Sequence, residues 1–193
     1  GDIKFVPQRD IEYKQEITDE DRTILGKDVP DFTYGVNLSL QYKGFEFSMF
    51  GQGISGTKVA FDVYGVHPFY HGQDSPRKYH LKRWTEENPN PHAAYPRIYS
   101  ASSVHTTCNR NFSDYHLFDS DYFRFKTLSL GYTVPSATVK NWGLQSLKVY
   151  VTGENLFTVR ADKKMEDFDP ETAGGVIYTL GTNSVAFGVN ISF

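Results

Sequence analysis

Val185-Ala-Phe-Gly-Val-Asn-Ile-Ser-Phe193 reads as a strand whose two faces differ in kind. Successive side chains of a strand point to opposite sides, so Val185, Phe187, Val189, Ile191 and Phe193 share one face. Ala186, Gly188, Asn190 and Ser192 share the other. One face is wholly apolar and the other small or polar. Two architectures use such a strand. A soluble sandwich turns the apolar face into its core, whereas an outer-membrane barrel turns it toward lipid and keeps a wet interior.

The same pattern recurs upstream. Phe32, Tyr34, Val36, Leu38, Leu40 and Tyr42 alternate with Thr33, Gly35, Asn37, Ser39 and Gln41. Strict alternation over 11 residues matches the ~9–11 that a tilted strand needs to cross a bilayer. Lys43-Gly44 reads as a tight turn, and Phe45, Phe47 and Met49 as the returning strand, giving a hairpin over residues 32–50. Residues 121–159 hold a strand pair. Its first member, Tyr122–Val134, is clear from Leu128 onward but places Arg124 and Lys126 on the apolar parity. A bulge, or an extension of the strand above the membrane, reconciles that conflict. Pro135–Gln145 reads as a short connection with a helical turn. The second member, Leu147–Val159, sets Leu147, Val149, Val151 and Phe157 against Lys148, Tyr150, Thr152 and Glu154. Residues 183–193 form the fifth strand.

The connections alternate in length. Residues 1–31 read as a polar loop with a short extended start at Ile3–Val6. A long loop spans 51–120, and another spans 160–182. A structureless stretch of about 70 residues argues against a compact soluble domain. A chain that crosses a membrane repeatedly makes short turns on one side and long loops on the other. The expected fold is therefore all-β: an antiparallel transmembrane barrel segment with long extracellular loops. Five strands cannot enclose an aqueous lumen, and open edges are not tolerated in lipid. The remainder of the barrel is expected upstream or on a second polypeptide.

Composition agrees. The chain has 193 residues, and 16% of them are aromatic, which suits both strands and membrane-interface girdles. A net charge of -3 speaks against a nucleic-acid partner. No apolar run approaches the ~18 residues of a membrane helix. Gly1-Asp-Ile-Lys4 carries no basic and apolar leader, which points to a fragment or a processed product. The single Cys108 excludes an internal disulfide.

Candidate chemistry is sparse. Thr18-Asp-Glu-Asp-Arg22 reads as a solvated loop that could cap a helical turn, since a calcium loop counted from Asp19 needs glycine where Ile24 stands. His105, Cys108 and His116 lack the paired spacing of a zinc site. Glu154-Asn155 offers one carboxylate where glycoside hydrolysis needs two. Asn111-Phe-Ser113 matches a glycosylation sequon by chance. No catalytic residue, metal site or cofactor is expected.

Several stretches, in order, resemble the C-terminal portion of the SusC/RagA family of TonB-dependent outer-membrane transporters. They are Gly1-Asp-Ile-Lys4, Asp21-Arg-Thr-Ile-Leu-Gly26, Pro30–Gly35, Gly44-Phe45 and Phe50-Gly-Gln-Gly53. Further on come Arg83-Trp84-Thr85, Glu87-Asn-Pro-Asn90, Phe123–Pro135, Val149–Phe157, Asp169-Pro-Glu171 and the terminal strand. The resemblance implies a 22-stranded barrel, of which this chain supplies the last five or six strands, and a plug domain encoded elsewhere. It also implies a SusD/RagB-like surface lipoprotein as lid, a TonB complex as motor, and membrane lipid around the wall. The substrate it implies is an oligosaccharide, with oligopeptides as the alternative. The calcium-loop-like segment of many members is missing from Val6–Glu16. On this reading the loop aromatics Tyr70, Trp84, Tyr95, Tyr99 and Tyr115 are expected to meet substrate or lid. Phe187, Val189, Ile191 and Phe193 resemble the signal read by the outer-membrane assembly machinery.

Overall fold

Alternation at Phe32–Tyr42 produces strand β1, and the turn at Lys43-Gly44 returns the chain as β2, Phe45–Ser55. Lys43 (φ 46°) and Gly44 (φ 86°) are both left-handed, the turn geometry that follows the natural twist of a hairpin. The computed structural model describes residues 1–10, 16–60, 67–69, 75–100, 102–163, 166, 168–171 and 181–193. Short strands β3 (Lys58–Ala60) and β4 (Leu117–Asp119) flank helix α1, Val104–Arg110. Next come β5 (Tyr122–Thr133), helix α2 (Ser136–Lys140), β6 (Ser146–Arg160) and β7 (Ser184–Ser192).

The chain divides into two compact units. One comprises Val29–Thr57, Ser120–Ala161 and Leu180–Phe193. It is a single antiparallel sheet in the order β1-β2-β5-β6-β7, and α2 forms the connection between β5 and β6. Among the described residues β1 and β7 each have one neighbouring strand, so both present an open edge.

β2 continues to Ser55, past the expected end at residue 50. Gly51 and Gly53 show no alternation to read, yet they pair with Val36 and Tyr34. Phe193 lies just beyond the last strand. Lys126 resolves the parity conflict in β5. The ladder to β2 passes from Phe50↔Thr127 to Gly51↔Phe125, and the ladder to β6 from Thr127↔Glu154 to Phe125↔Phe157. Lys126 is a bulge, so Phe123 and Phe125 change sides and join Leu128, Leu130 and Tyr132. Asn155, opposite the bulge, takes φ 54°, a conformation asparagine tolerates better than most residues.

The other unit comprises Gly1–Asp28, Lys58–Asp119 and Asp162–Thr179. The β3–β4 ladder pairs Val59 with Phe118, and these two with Tyr95 and Phe168 form a small buried core. Stretch 51–120, expected without structure, thus contains the end of β2, this ladder and α1. Ser103 caps α1 by accepting from the His105 N–H at 3.3 Å. Ile3–Val6 joins no sheet among the described residues. The Ile3 N–H instead donates to Asn109 Oδ1 at 2.8 Å.

Asp21 of the acidic cluster closes a loop. Asp21 is the last residue of a single 3-10 turn, and its carboxylate accepts from the backbone N–H of Gln8, Arg9 and Thr18 and from the Arg9 guanidinium at 2.9 Å. The Arg9 hydrogen bond, with those from the backbone, holds the Asp21 carboxyl far below its ordinary range. A carboxyl whose pKa is depressed by folding stabilises the fold wherever the unfolded chain would already be ionised. That contribution is complete above about pH 4 and drains away as pH falls below it. Asp21→Asn is therefore expected to raise proteolytic nicking between residues 8 and 21 at neutral pH. It should also flatten the increase in nicking that the native chain shows on acidification; limited proteolysis across pH 3–7 measures both.

Candidate functional site

The sheet register sorts side chains into two chemically opposed faces. One carries Phe32, Tyr34, Val36, Leu38, Leu40 and Tyr42 from β1 and Phe45, Phe47 and Met49 from β2. To these it adds Phe123, Phe125, Leu128, Leu130 and Tyr132 from β5 and Val149, Val151, Phe157 and Val159 from β6. Val185, Phe187, Val189 and Ile191 of β7 complete it. No charged residue interrupts it. Most of these side chains are solvent-accessible, with Phe187 at 84% and Tyr42 at 69%. A continuous apolar face of five strands, with no second sheet packed on it among the described residues, is a surface for lipid and not for water.

Aromatic rings bound this face at both ends. At the turn end Tyr42, Phe45 and Tyr132 are neighbours in register, and the last two rings lie 4.6 Å apart. At the loop end Tyr34 stacks on Phe123 (6.0 Å, 4°), and Phe123, Phe125 and Phe157 follow edge to face. Val36, Leu38 and Leu40 lie between. From Tyr34 to Tyr42 the strand rises roughly 27 Å at ~3.4 Å per residue, comparable with the ~25 Å apolar band between the girdles of membrane barrels.

The opposite face is polar and laced together. Lys148 Nζ donates to Glu46 Oε2 at 2.5 Å, reaching across β5 above Gly131, where no side chain intervenes. Thr133 Oγ1 donates to the other Glu46 oxygen at 3.4 Å. Ser129 and Thr152 share a hydroxyl hydrogen bond of 3.0 Å. The buried Arg124 donates from Nε to Thr158 Oγ1 at 2.9 Å. A groove of about 340 Å³ runs over this face, lined by Ser39, Gln41, Glu46, Lys148, Tyr150 and Asn190 among others. Glu154 accepts from Ser184 Oγ at 3.1 Å, which gives it a partner within the wall. Sequence reading placed Glu46 and Lys148 on the polar parity of their strands but did not join them. Their contact requires the register, which alternation alone does not supply.

The loop aromatics separate once placed. Tyr70 lies outside the described residues. Tyr95, a candidate for contact with substrate or lid, is buried, with its hydroxyl 2.9 Å from His67 Nδ1. Tyr115 donates its hydroxyl to the Ala94 carbonyl at 2.8 Å. Burial pushes both phenols well above their ordinary range. The Tyr95 ring is buried in the loop core, whereas Tyr115 is half-buried. Trp84 and Tyr99 are half-exposed. Trp84 packs against Gly1, and Tyr99 stacks on the His105 ring at 4.6 Å with the Arg97 guanidinium 5.2 Å from its centroid.

Asp2 ties this corner together, bonding His105 Nδ1 at 2.7 Å and Asn109 Nδ2 at 3.0 Å. Partial burial pushes the Asp2 carboxyl up, but hydrogen bonds from Asn109, His105 and Tyr99 outweigh it and hold it below its ordinary value. His105 thus serves Asp2, His116 is buried beside His67 at 5.6 Å between rings, and Cys108 is exposed. Among the described residues no three His, Cys, Asp or Glu side chains gather as a metal requires.

Two curated relatives come from Formosa agariphila. TonB-dependent receptor P3 is 30% identical over 149 residues, 77% of this chain and 14% of the relative. TonB-dependent receptor P26 is 30% identical over 174 residues, 90% of this chain and 16% of the relative. The chain belongs to the TonB-dependent receptors. These are outer-membrane transport proteins and not enzymes, so the apolar face meets the lipid of that membrane. This receptor chain spans about one-seventh of its curated relatives' length. No protein-family model matches it. Among solved structures, the RagAB peptide transporter superposes with a TM-score of 0.63 at 23% identity, covering 96% of this chain and 20% of that one. The 'closed-closed' RagAB peptide importer gives 0.57 at 25% identity, covering 86% and 17%. The fold is thus that of a RagA-like barrel wall.

Proposed function

We propose that this chain forms part of the wall of a TonB-dependent importer of oligosaccharides. A SusD-like lipoprotein serves as its lid and a TonB complex supplies its energy. The observation that carries the reading is the five-strand sheet with one lipid-compatible face and one hydrogen-bonded polar face. Such a sheet separates a bilayer from a wet passage. The open edges of β1 and β7 call for further strands, supplied by the rest of the polypeptide or by a second one. Phe187, Val189, Ile191 and Phe193 are the proposed assembly signal on the terminal strand. Trp84, Tyr99 and Tyr115, the half-exposed rings, are the proposed contacts for substrate or lid, since flat amphipathic rings suit sugar faces and interfaces alike.

Oligopeptides are the second reading, favoured by the RagAB likeness. The complete receptor, purified in detergent, is to be titrated with oligosaccharide and with oligopeptide mixtures. Saturable binding of glycans alone is expected, and binding of peptides alone transfers the proposal to the second reading. Solubility without detergent, or the absence of a heat-modifiable band, would sink the wall itself.

A further inference from the structure

On the polar face Tyr150 stands between two glycines. Register carries one row across the sheet from Gln41 through Glu46, Gly131 and Tyr150 to Gly188. The tip of the Tyr150 ring fills the space that a side chain at Gly188 would take. A Cβ on Gly188 would stand 2.1 Å from Tyr150 Cζ and 2.4 Å from its hydroxyl oxygen. Gly188 is accordingly half-buried in a strand whose other residues are exposed. The ring therefore rests on the β7 backbone. On its other flank, above Gly131, only the Lys148 side chain passes on its way to Glu46. That gap opens the groove of about 340 Å³ that the half-buried Tyr150 lines.

The groove suits a neutral ligand rich in hydroxyls. The Gln41 and Asn190 amides and the Ser129 and Thr152 hydroxyls each donate and accept. Its two charges, Glu46 and Lys148, are paired with each other, so an acidic ligand would find the ammonium already engaged. Lys148 still holds N–H donors beyond the one given to Glu46. The volume falls within the roughly 300–1,000 Å³ of small-ligand clefts. A sugar presents C–H groups on its faces and hydroxyls around its edge. One flat ring surrounded by mixed donors and acceptors matches both.

We propose that this groove is a sugar subsite on the wall itself, taking a neutral unit of an oligosaccharide. The sugar face stacks on Tyr150, and its hydroxyls hydrogen-bond Gln41, Asn190 and Lys148. The inference rests on the reading of the sheet as the wall of an oligosaccharide importer, and adds to the loop rings a contact within the passage. Gly188 is a positioning residue, because its missing side chain lets the ring lie across β7.

The test is isothermal titration calorimetry of the complete receptor in detergent with unbranched neutral hexasaccharides, uronic hexasaccharides and hexapeptides. Tyr150→Leu, which keeps apolar bulk but no flat face, is expected to bind the neutral hexasaccharides roughly tenfold more weakly, the scale of one lost stacking contact. Gly188→Ala should show a similar loss, because its Cβ displaces the flexible end of the ring. Tyr150→Phe should keep the native affinity, as should Gly35→Ala, which lies outside the groove. Equal affinity in the native, Tyr150→Leu and Gly188→Ala receptors overturns the subsite alone, and so does preference for the uronic hexasaccharides. A lowered urea midpoint in Tyr150→Leu with unchanged sugar affinity assigns the ring to packing against another segment of the receptor and also overturns it. Binding of hexapeptides alone overturns the oligosaccharide reading and the subsite with it.

Discussion

Leu38→Arg is expected to destabilise the assembled receptor by about 2–4 kcal/mol in a bilayer, while its neighbour Ser39→Arg stays within about 0.5 kcal/mol of the native protein. The two positions are adjacent in β1 and point to opposite faces. Leu38 is midway between Tyr34 and Tyr42, at the depth where an arginine side chain reaches neither headgroup region easily. Its register runs through Met49, Leu128, Gly153 and Val185, a row with no polar partner for a guanidinium. Ser39 pairs with Ser48 and lines the groove on the polar face, where water and neighbouring hydroxyls solvate an added charge. Urea titration of receptor folded into phospholipid vesicles, read by the heat-modifiable band, measures both changes. A larger loss at Ser39 than at Leu38 would mean that the faces are assigned the wrong way round.

Much of the wall was legible because alternation with period two is a local property. β1 shows it over its whole length, and Leu128–Tyr132 and Val185–Ile191 show it as plainly. What alternation cannot give is register, since a face is set by parity and a neighbour by pairing. The Glu46–Lys148 pair joins residues 102 positions apart and became visible only with the strands aligned. The bulge at Lys126 was half-legible, because a charge on the apolar parity signalled a slip without saying where it fell. The end of β2 was invisible for the opposite reason, as Gly51 and Gly53 carry no side chain to alternate. In the loop unit, composition marked the aromatics but not their direction. Tyr95 and Trp84 look alike in sequence, yet one is buried against His67 and the other half-exposed beside Gly1. Long-range packing separates them, with Tyr95 against His67 and His80 and Trp84 against Gly1.

Gly53→Val is expected to cost about 1–3 kcal/mol, an overpacking penalty at a site with no room to relax, whereas Gly35→Ala is tolerated. Gly53 pairs with Tyr34 on one side and Phe123 on the other. Those residues sit two strands apart, a separation of about 9–10 Å at the usual spacing. Their rings nevertheless stack at 6.0 Å, because β2 offers no side chain between them. A Cβ on Gly53 would stand 2.7 Å from Tyr34 Cζ and closer still to the Tyr122 carbonyl. The ring has room to swing away into lipid, but the carbonyl belongs to the ladder and has none. Gly51, one pair further on, is covered by the Phe123 ring in the same way. Rings laid over glycines on neighbouring strands are a known means of restoring packing where a side chain is missing. Here they also complete the loop-end row, so the substitution disturbs packing and interface together. A Cβ on Gly35, on the polar face, meets the Phe50 ring at an ordinary 3.6 Å. Urea unfolding of the two variants in vesicles separates the cases: equal midpoints would show that the Tyr34–Phe123 stack does not depend on the gap in β2.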